Sequence, residues 1–198
     1  MLKSDSICLK KLYDFAWNDD RTGEALLQNS PTGRQYGKLA RSVAEPVSLY
    51  QGIYMWGRYD EQRRWINLYI GRSGKGKSHL QGRIVQELID DRNIFWEPIF
   101  TKRQLQEHCR RNYPGREDYV KNWDRALNRS RATHIVWVET GTALPKDIAD
   151  IESELIEILN PRGNTQLPKP PKEAHDLTIE VIECFRKEIN RRRFEKSS

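Results

Sequence analysis

Long apolar runs are missing from this sequence, and none approaches the roughly 20 residues that a membrane-crossing helix needs. The stretch from Met1 to Lys11 also lacks the unbroken apolar centre of a secretory leader, so a cytoplasmic address is the expectation. Cysteine is scarce. Cys8, Cys109 and Cys184 stand far apart without the paired spacing of a zinc site, and an odd number leaves one over in any disulfide scheme; reduced structural thiols are expected. Charge of a single sign is lacking as well, because 34 basic residues against 28 acidic ones give a net +6, a moderate excess with no polybasic tail. What is present is a polar chain, 31% charged and 37% hydrophobic, whose 198 residues suffice for one domain with a real core.

The placement of the positive charge says more than its sum. Lys102, Arg103, Arg110, Arg111 and Arg116 crowd one stretch, and Arg186, Lys187, Arg191, Arg192 and Arg193 crowd the C-terminal one. Such clusters are the footprint of a phosphate-backbone partner, or else solvated helix faces.

Residues 1–45 offer one amphipathic helix around Leu9 to Trp17, followed by a Gly, Asn, Pro and Ser mixture through Gly37 that reads as loop or peripheral cover. Ser48 to Trp56 and Trp65 to Ile70 alternate and are rich in aromatic and branched residues, with polar Gly57 to Arg64 between them, which predicts a hairpin. Tyr54 and Tyr69 sit near the two strand centres and can face the same side. From His79 the period becomes helical, with Leu80, Ile84 and Leu88 on one stripe beside Val85 and Ile89. Arg83 points off that stripe, free to project toward the strand ends or to pair with Glu87 on an exposed face.

Arg92 to Phe100 reads as an edge strand, and helices are expected at about Arg103 to Arg111 and Asp118 to Asn128 around Tyr113-Pro114-Gly115. Thr133 to Thr140 reads as a buried central strand. Ile148, Ile151, Leu155, Ile158 and Leu159 mark a helix from about Lys146 to Asn160, ended by Pro161. Leu167 to Pro171 is a stiff strap, and a last helix from about Glu173 to Arg193 carries Leu177, Val181, Phe185 and Ile189 on its apolar stripe.

The stretch from Leu68 to Ile84 is where chemistry concentrates, since a strand runs there into a glycine-rich turn and then a helix. Gly71, Gly76, Lys77 and Ser78 match the phosphate loop G-x-x-x-x-G-K-S. The same stretch opens with Tyr69-Ile70-Gly71, and Gly52-Ile53-Tyr54 lies upstream. Downstream, Glu152, Leu155, Ile156, Pro161 and Asn164 spell E-x-x-L-I-x-x-x-x-P-x-x-N. In this order the three blocks resemble the GIY-YIG endonucleases, the family that includes excision-repair and restriction enzymes.

That resemblance implies an α+β domain with a small central sheet of about three strands, an antiparallel hairpin plus one more, flanked by helices. The nuclease core would be residues 46–165, with 1–45 as an N-terminal cover, a basic helical insertion at about 92–132, and 166–198 as strap and terminal helix. The implied activity is Mg²⁺-dependent hydrolysis of DNA phosphodiester bonds, with Mn²⁺ as an alternative ion, in the manner of a restriction or nicking enzyme. Tyr54 would be the general base or orient the water, Tyr69 would position water and phosphate, and Arg83 would hold the developing charge. Glu152 would be the one carboxylate on the metal, and Asn164 would fix the site geometry. Arg72, Lys75, Lys77 and His79 would contact phosphate, and cutting both strands with one site per chain would call for a homodimer.

Three features depart from the family pattern. The arginine stands fourteen positions after the second tyrosine, an enlarged turn; the span from Arg83 to Glu152 is long; and Glu87 occupies the place where many members carry histidine. A free phenol, with a pKa near 10, is a poor base at neutral pH, so the site requires a perturbing charge. Two readings stand beside the nuclease: a P-loop nucleotide enzyme using residues 71–78, and a nucleic-acid-binding module that does not cut.

Overall fold

The computed structural model describes residues 2–16, 30–73, 78–90, 103, 107, 110, 111, 131–141, 143–164 and 176–194, without the side chains of residues 16 and 90. Among them, four strands make one sheet: β1 (Ser4–Cys8), β2 (Gly52–Tyr59), β3 (Trp65–Arg72) and β4 (His134–Glu139), in the order β1-β4-β2-β3 with every neighbour antiparallel. The described helices are α1 (Lys10–Ala16), α2 (Pro31–Val43), α3 (Leu80–Asp90), α4 (Pro145–Leu159) and α5 (Asp176–Arg192). The class is α+β as expected, with four strands where about three were anticipated. No described helix is long and apolar enough to cross a membrane.

The two inner strands read as nearly continuous apolar runs because helices cover both of their faces. Successive side chains point to opposite sides of a strand, so each strand feeds two cores. Tyr54 and Trp56 of β2 join Ile135 and Trp137 of β4 in the core shared with α1, α2 and α3. Ile53 and Met55 join Val136 and Val138 in the other, against α4 and α5. The central assignment of β4 therefore holds, and Thr133 to Thr140 shortens to His134–Glu139.

Strand β3 carries an irregularity that matters for the site. Trp56 pairs with Tyr69 and Gly57 pairs with Asn67, which leaves Leu68 as an extra residue. A one-residue bulge of this kind flips the alternation. Before it, Asn67 faces α4, where its amide donates to the Leu159 carbonyl at 2.8 Å. After it, Tyr69 lies on the α3 side with Tyr54, while Ile70 points to the α4 side.

The N-terminal region is more than a peripheral cover. Ser4–Cys8 adds an edge strand to β4, and its short, mostly polar run carries little strand signal. Residues 31–37, expected to be loop, open α2: Ser30 caps the helix by accepting from the Gly33 N–H at 2.8 Å, and Pro31 occupies the first turn, where its missing N–H costs nothing. The Tyr36 hydroxyl then donates to the Leu88 carbonyl at 2.9 Å, which ties α2 to α3. The hairpin also shifts, since Ser48 to Gln51 stays outside β2 and Gly57 to Tyr59 extends it.

Helix α5 packs Val181 and Phe185 into the α4-side core, as its stripe predicts. Two residues of its basic end are tied to the rest of the fold. Arg191 is bonded to Glu188 and Asp5, and Arg192 donates to the Ser6 hydroxyl at 2.7 Å, so these two arginines secure the edge strand, while the Arg191 side chain stays 45% exposed. Of the basic stretch near 102–116, Arg103, Glu107, Arg110 and Arg111 are helical and exposed. The expected edge strand at 92–100, the helix at 118–128 and the strap at 167–171 lie outside the described residues.

Candidate active site

Two phenols meet at one end of the β2–β3 hairpin because a glycine separates them. Tyr54 stands directly opposite Gly71. A Cβ built on Gly71 would lie 2.5 Å from the Tyr54 hydroxyl oxygen and 2.9 Å from a ring carbon of Tyr69. Only the absent side chain lets the rings approach so closely. Tyr54 itself is wholly buried.

Helix α3 supplies the next two groups. The Tyr54 hydroxyl donates to Glu87 Oε1 at 2.7 Å, and a guanidinium nitrogen of Arg83 reaches the same oxygen at 3.0 Å. The pairing of Arg83 with Glu87 thus forms, but against the expectation of an exposed face Glu87 is 3% exposed. Its signal was in the spacing: Glu87 stands seven residues after Leu80 and three after Ile84, on the apolar stripe itself. A carboxylate there demands partners, and the arginine one turn back with the phenol beneath provides them.

Electrostatics follow from that burial. Desolvation pushes the Tyr54 phenol well above its ordinary range, and the negative charge of Glu87 adds to the effect. Burial works against the Arg83 cation, but Tyr54 and Glu87 outweigh it and hold the guanidinium above the usual arginine range.

The opposite face of the same strand end contributes a second pair. Arg72, next to Gly71 but pointing toward α4, donates from Nε to Glu152 Oε2 at 2.7 Å, with side chains 28% and 23% exposed. Burial raises the Glu152 carboxyl above its ordinary value and Arg72 opposes that shift; the fields of Glu87 and Arg83 also reach it. Helix α4 ends at Asn160 in the left-handed conformation, φ 41°, and the chain turns back along β3. Asn164 then brackets Ile70, accepting from its N–H and donating to its carbonyl, both at 2.9 Å. Its amide therefore holds the strand segment that carries Tyr69 and Gly71.

Tyr54, Tyr69 and Arg83 are thus brought together directly, Glu152 joins them through Arg72 and by electrostatic reach, and Asn164 braces the strand. Lys75 and Lys77 lie outside the described residues. His79 precedes α3 and accepts the Gly82 N–H on Nδ1 at 3.0 Å, a capping role. Glu87, expected only as an exposed partner of Arg83 standing where many family members carry histidine, is the residue whose burial against Tyr54 sequence reasoning missed.

Among the described residues no group of three or more His, Cys, Asp or Glu side chains converges. Glu152 nonetheless offers hard oxygen donors, one held by Arg72, on a partly exposed side chain. That donor chemistry fits a divalent cation of the Mg²⁺ kind, which keeps most of its water and takes one or two protein carboxylates. No family model matches the chain, and no curated protein or solved structure matches it either.

Proposed function

We propose that the chain is a Mg²⁺-dependent DNA endonuclease of the GIY-YIG type, acting in the cytoplasm. The observation that carries this reading is the convergence, at one hairpin end, of groups from three separated sequence blocks: Tyr54 and Tyr69 around Gly71, Arg83 above them on α3, and Glu152 linked to Arg72 of the same strand. The antiparallel sheet favours it over the P-loop reading, because a P-loop enzyme builds a parallel sheet from βα units.

Hydrolysis of a phosphodiester needs a deprotonated water, a holder for the charge on the phosphoryl oxygens, and relief for the departing 3′ oxygen. Tyr54 accepts the water proton, and Tyr69 beside it orients water and phosphate. Arg83 faces the developing charge with a forked donor set that lysine does not reproduce. Glu152 would hold the cation, which when bound supplies positive charge to the phosphate and to the leaving oxygen. Arg72 and Glu152 are paired in the free protein and partly exposed, so cation and phosphate enter there by exchange of partners and neither charge is left bare, while Arg83 keeps Glu87 as it meets the substrate.

Divalent-dependent plasmid nicking tests the reading. Cleavage without ATP, abolished by Glu152→Ala and by Arg83→Ala, is the expected result. Salt-sensitive DNA binding without cleavage under any metal would instead identify a non-cutting module, and ATP binding lost in Lys77→Ala would identify the P-loop enzyme. Cleavage of both strands would further predict a homodimer, checked by sedimentation.

A further inference from the structure

We propose that Glu87 is the proton acceptor behind Tyr54: the attacking water gives its proton to the phenol oxygen while the phenol passes its own proton along the existing hydrogen bond to Glu87 Oε1. This rests on the nuclease reading above. The step balances without a co-reactant. A water O–H bond breaks as the oxygen bonds to phosphorus, the phenol stays neutral with a different proton, Glu87 ends protonated, and the 3′ oxygen leaves to take a proton from solvent.

The geometry carries it. The hydrogen bond is already formed at 2.7 Å in the free protein between a wholly buried phenol and a carboxylate 3% exposed, so the attacking water meets the phenol oxygen only once the side chains over Tyr54 part on substrate binding. Tyr54 is equally buried, beside a negative charge, and these surroundings disfavour a standing phenolate. A relay avoids that species, because the phenol loses one proton as it gains another. Arg83 shares Glu87 Oε1 at 3.0 Å. When the proton arrives, Glu87 becomes neutral and Arg83 loses its anionic partner as the phosphoryl oxygens gain charge, so the two events support each other. Among the described residues, the groups bearing on this proton include Arg83 on α3, Tyr54 on β2, Tyr69 on β3 and, through its field, Glu152 on α4. Glu87 touches neither substrate nor water; it is a positioning residue that acts through Tyr54.

The test is the pH–rate profile of nicking by the full chain and by Glu87→Gln. The relay predicts a fall in kcat on the order of 10²-fold or more at every pH, with DNA affinity within a few-fold of the parent. Direct use of a Tyr54 phenolate predicts the opposite sign: removing the neighbouring negative charge eases ionisation, and the variant cuts as fast as the parent or faster at alkaline pH. That result would overturn the proposal. In metal-free protein, tyrosinate absorbance taken as the difference from Tyr54→Phe is expected to titrate at lower pH in Glu87→Gln, and an unmoved titration also counts against it. If the amide variant does not fold, Glu87→Asp keeps a charge for Arg83 while drawing the acceptor back by one methylene; about a tenfold or larger loss is expected, and a parent-like rate sinks the relay. Inactivity of the parent with every divalent ion sinks the nuclease reading itself, a distinguishable failure.

Discussion

Two arginine–glutamate pairs flank the same end of the hairpin, one on each face of the sheet, and water treats them differently. In the Arg83–Glu87 pair the carboxylate is sealed beneath α3 and shared with a buried phenol. In the Arg72–Glu152 pair both side chains remain about a quarter exposed. A sealed pair cannot exchange partners without leaving a buried charge, which suits it to hold geometry and receive a proton. A half-open pair loses little when a hydrated cation or a phosphate takes one partner's place, which suits it to binding.

The comparison breaks most sharply in Glu87→Ala. Removing the sealed carboxylate leaves a half-buried guanidinium and a buried phenol without their acceptor, and urea unfolding should show a loss of about 3 kcal/mol with an unchanged slope. Gly71→Ala attacks the phenol side of the same face: a methyl group placed 2.5 Å from the Tyr54 oxygen must push the tyrosines apart, for about 2 kcal/mol by the same measurement and a large loss of nicking. Asn164→Ala removes two hydrogen bonds to Ile70 and should cost about 1–2 kcal/mol, with kcat falling more than DNA affinity.

The smallest effect belongs to the half-open pair and depends on pH. The folded Glu152 carboxyl is raised above its ordinary 4.5, so it is protonated more readily in the folded chain than in the unfolded one. Its contribution to stability is therefore full below that value and is lost as pH rises through the folded one. Glu152→Gln, compared with the parent by thermal melting, should gain relative stability from acid to neutral pH, by no more than about 1 kcal/mol at this exposure, even though its nicking is abolished.

Much of this site was legible in the sequence because its residues sit in strong periodic signals. The aromatic alternation around Tyr54 and Tyr69, the stripe of Leu80, Ile84 and Leu88, and the Pro161 stop after α4 are local patterns that local physics fixes. Residues without a local signal were misread. Ser4–Cys8 has too few apolar residues to announce a strand, and it becomes one because β4 presents an unpaired edge to it. Ser30-Pro31 reads equally as a turn or a helix start, and packing of Tyr36 against α3 selects the second. Nothing local in the basic tail of α5 shows that Arg191 and Arg192 reach Asp5 and Ser6 of the edge strand.

Sequence alone determined that an antiparallel hairpin is followed by a helix from Leu80, since alternation and helical period act over a few neighbouring residues. Only the tertiary structure decided which side the second tyrosine faces, through the extra Leu68, and only it turned Glu87 from a surface partner into a buried acceptor. Both depend on contacts between residues far apart in the chain: the helical spacing puts Glu87 on the apolar stripe, but only Tyr54 from a distant strand makes it a buried acceptor.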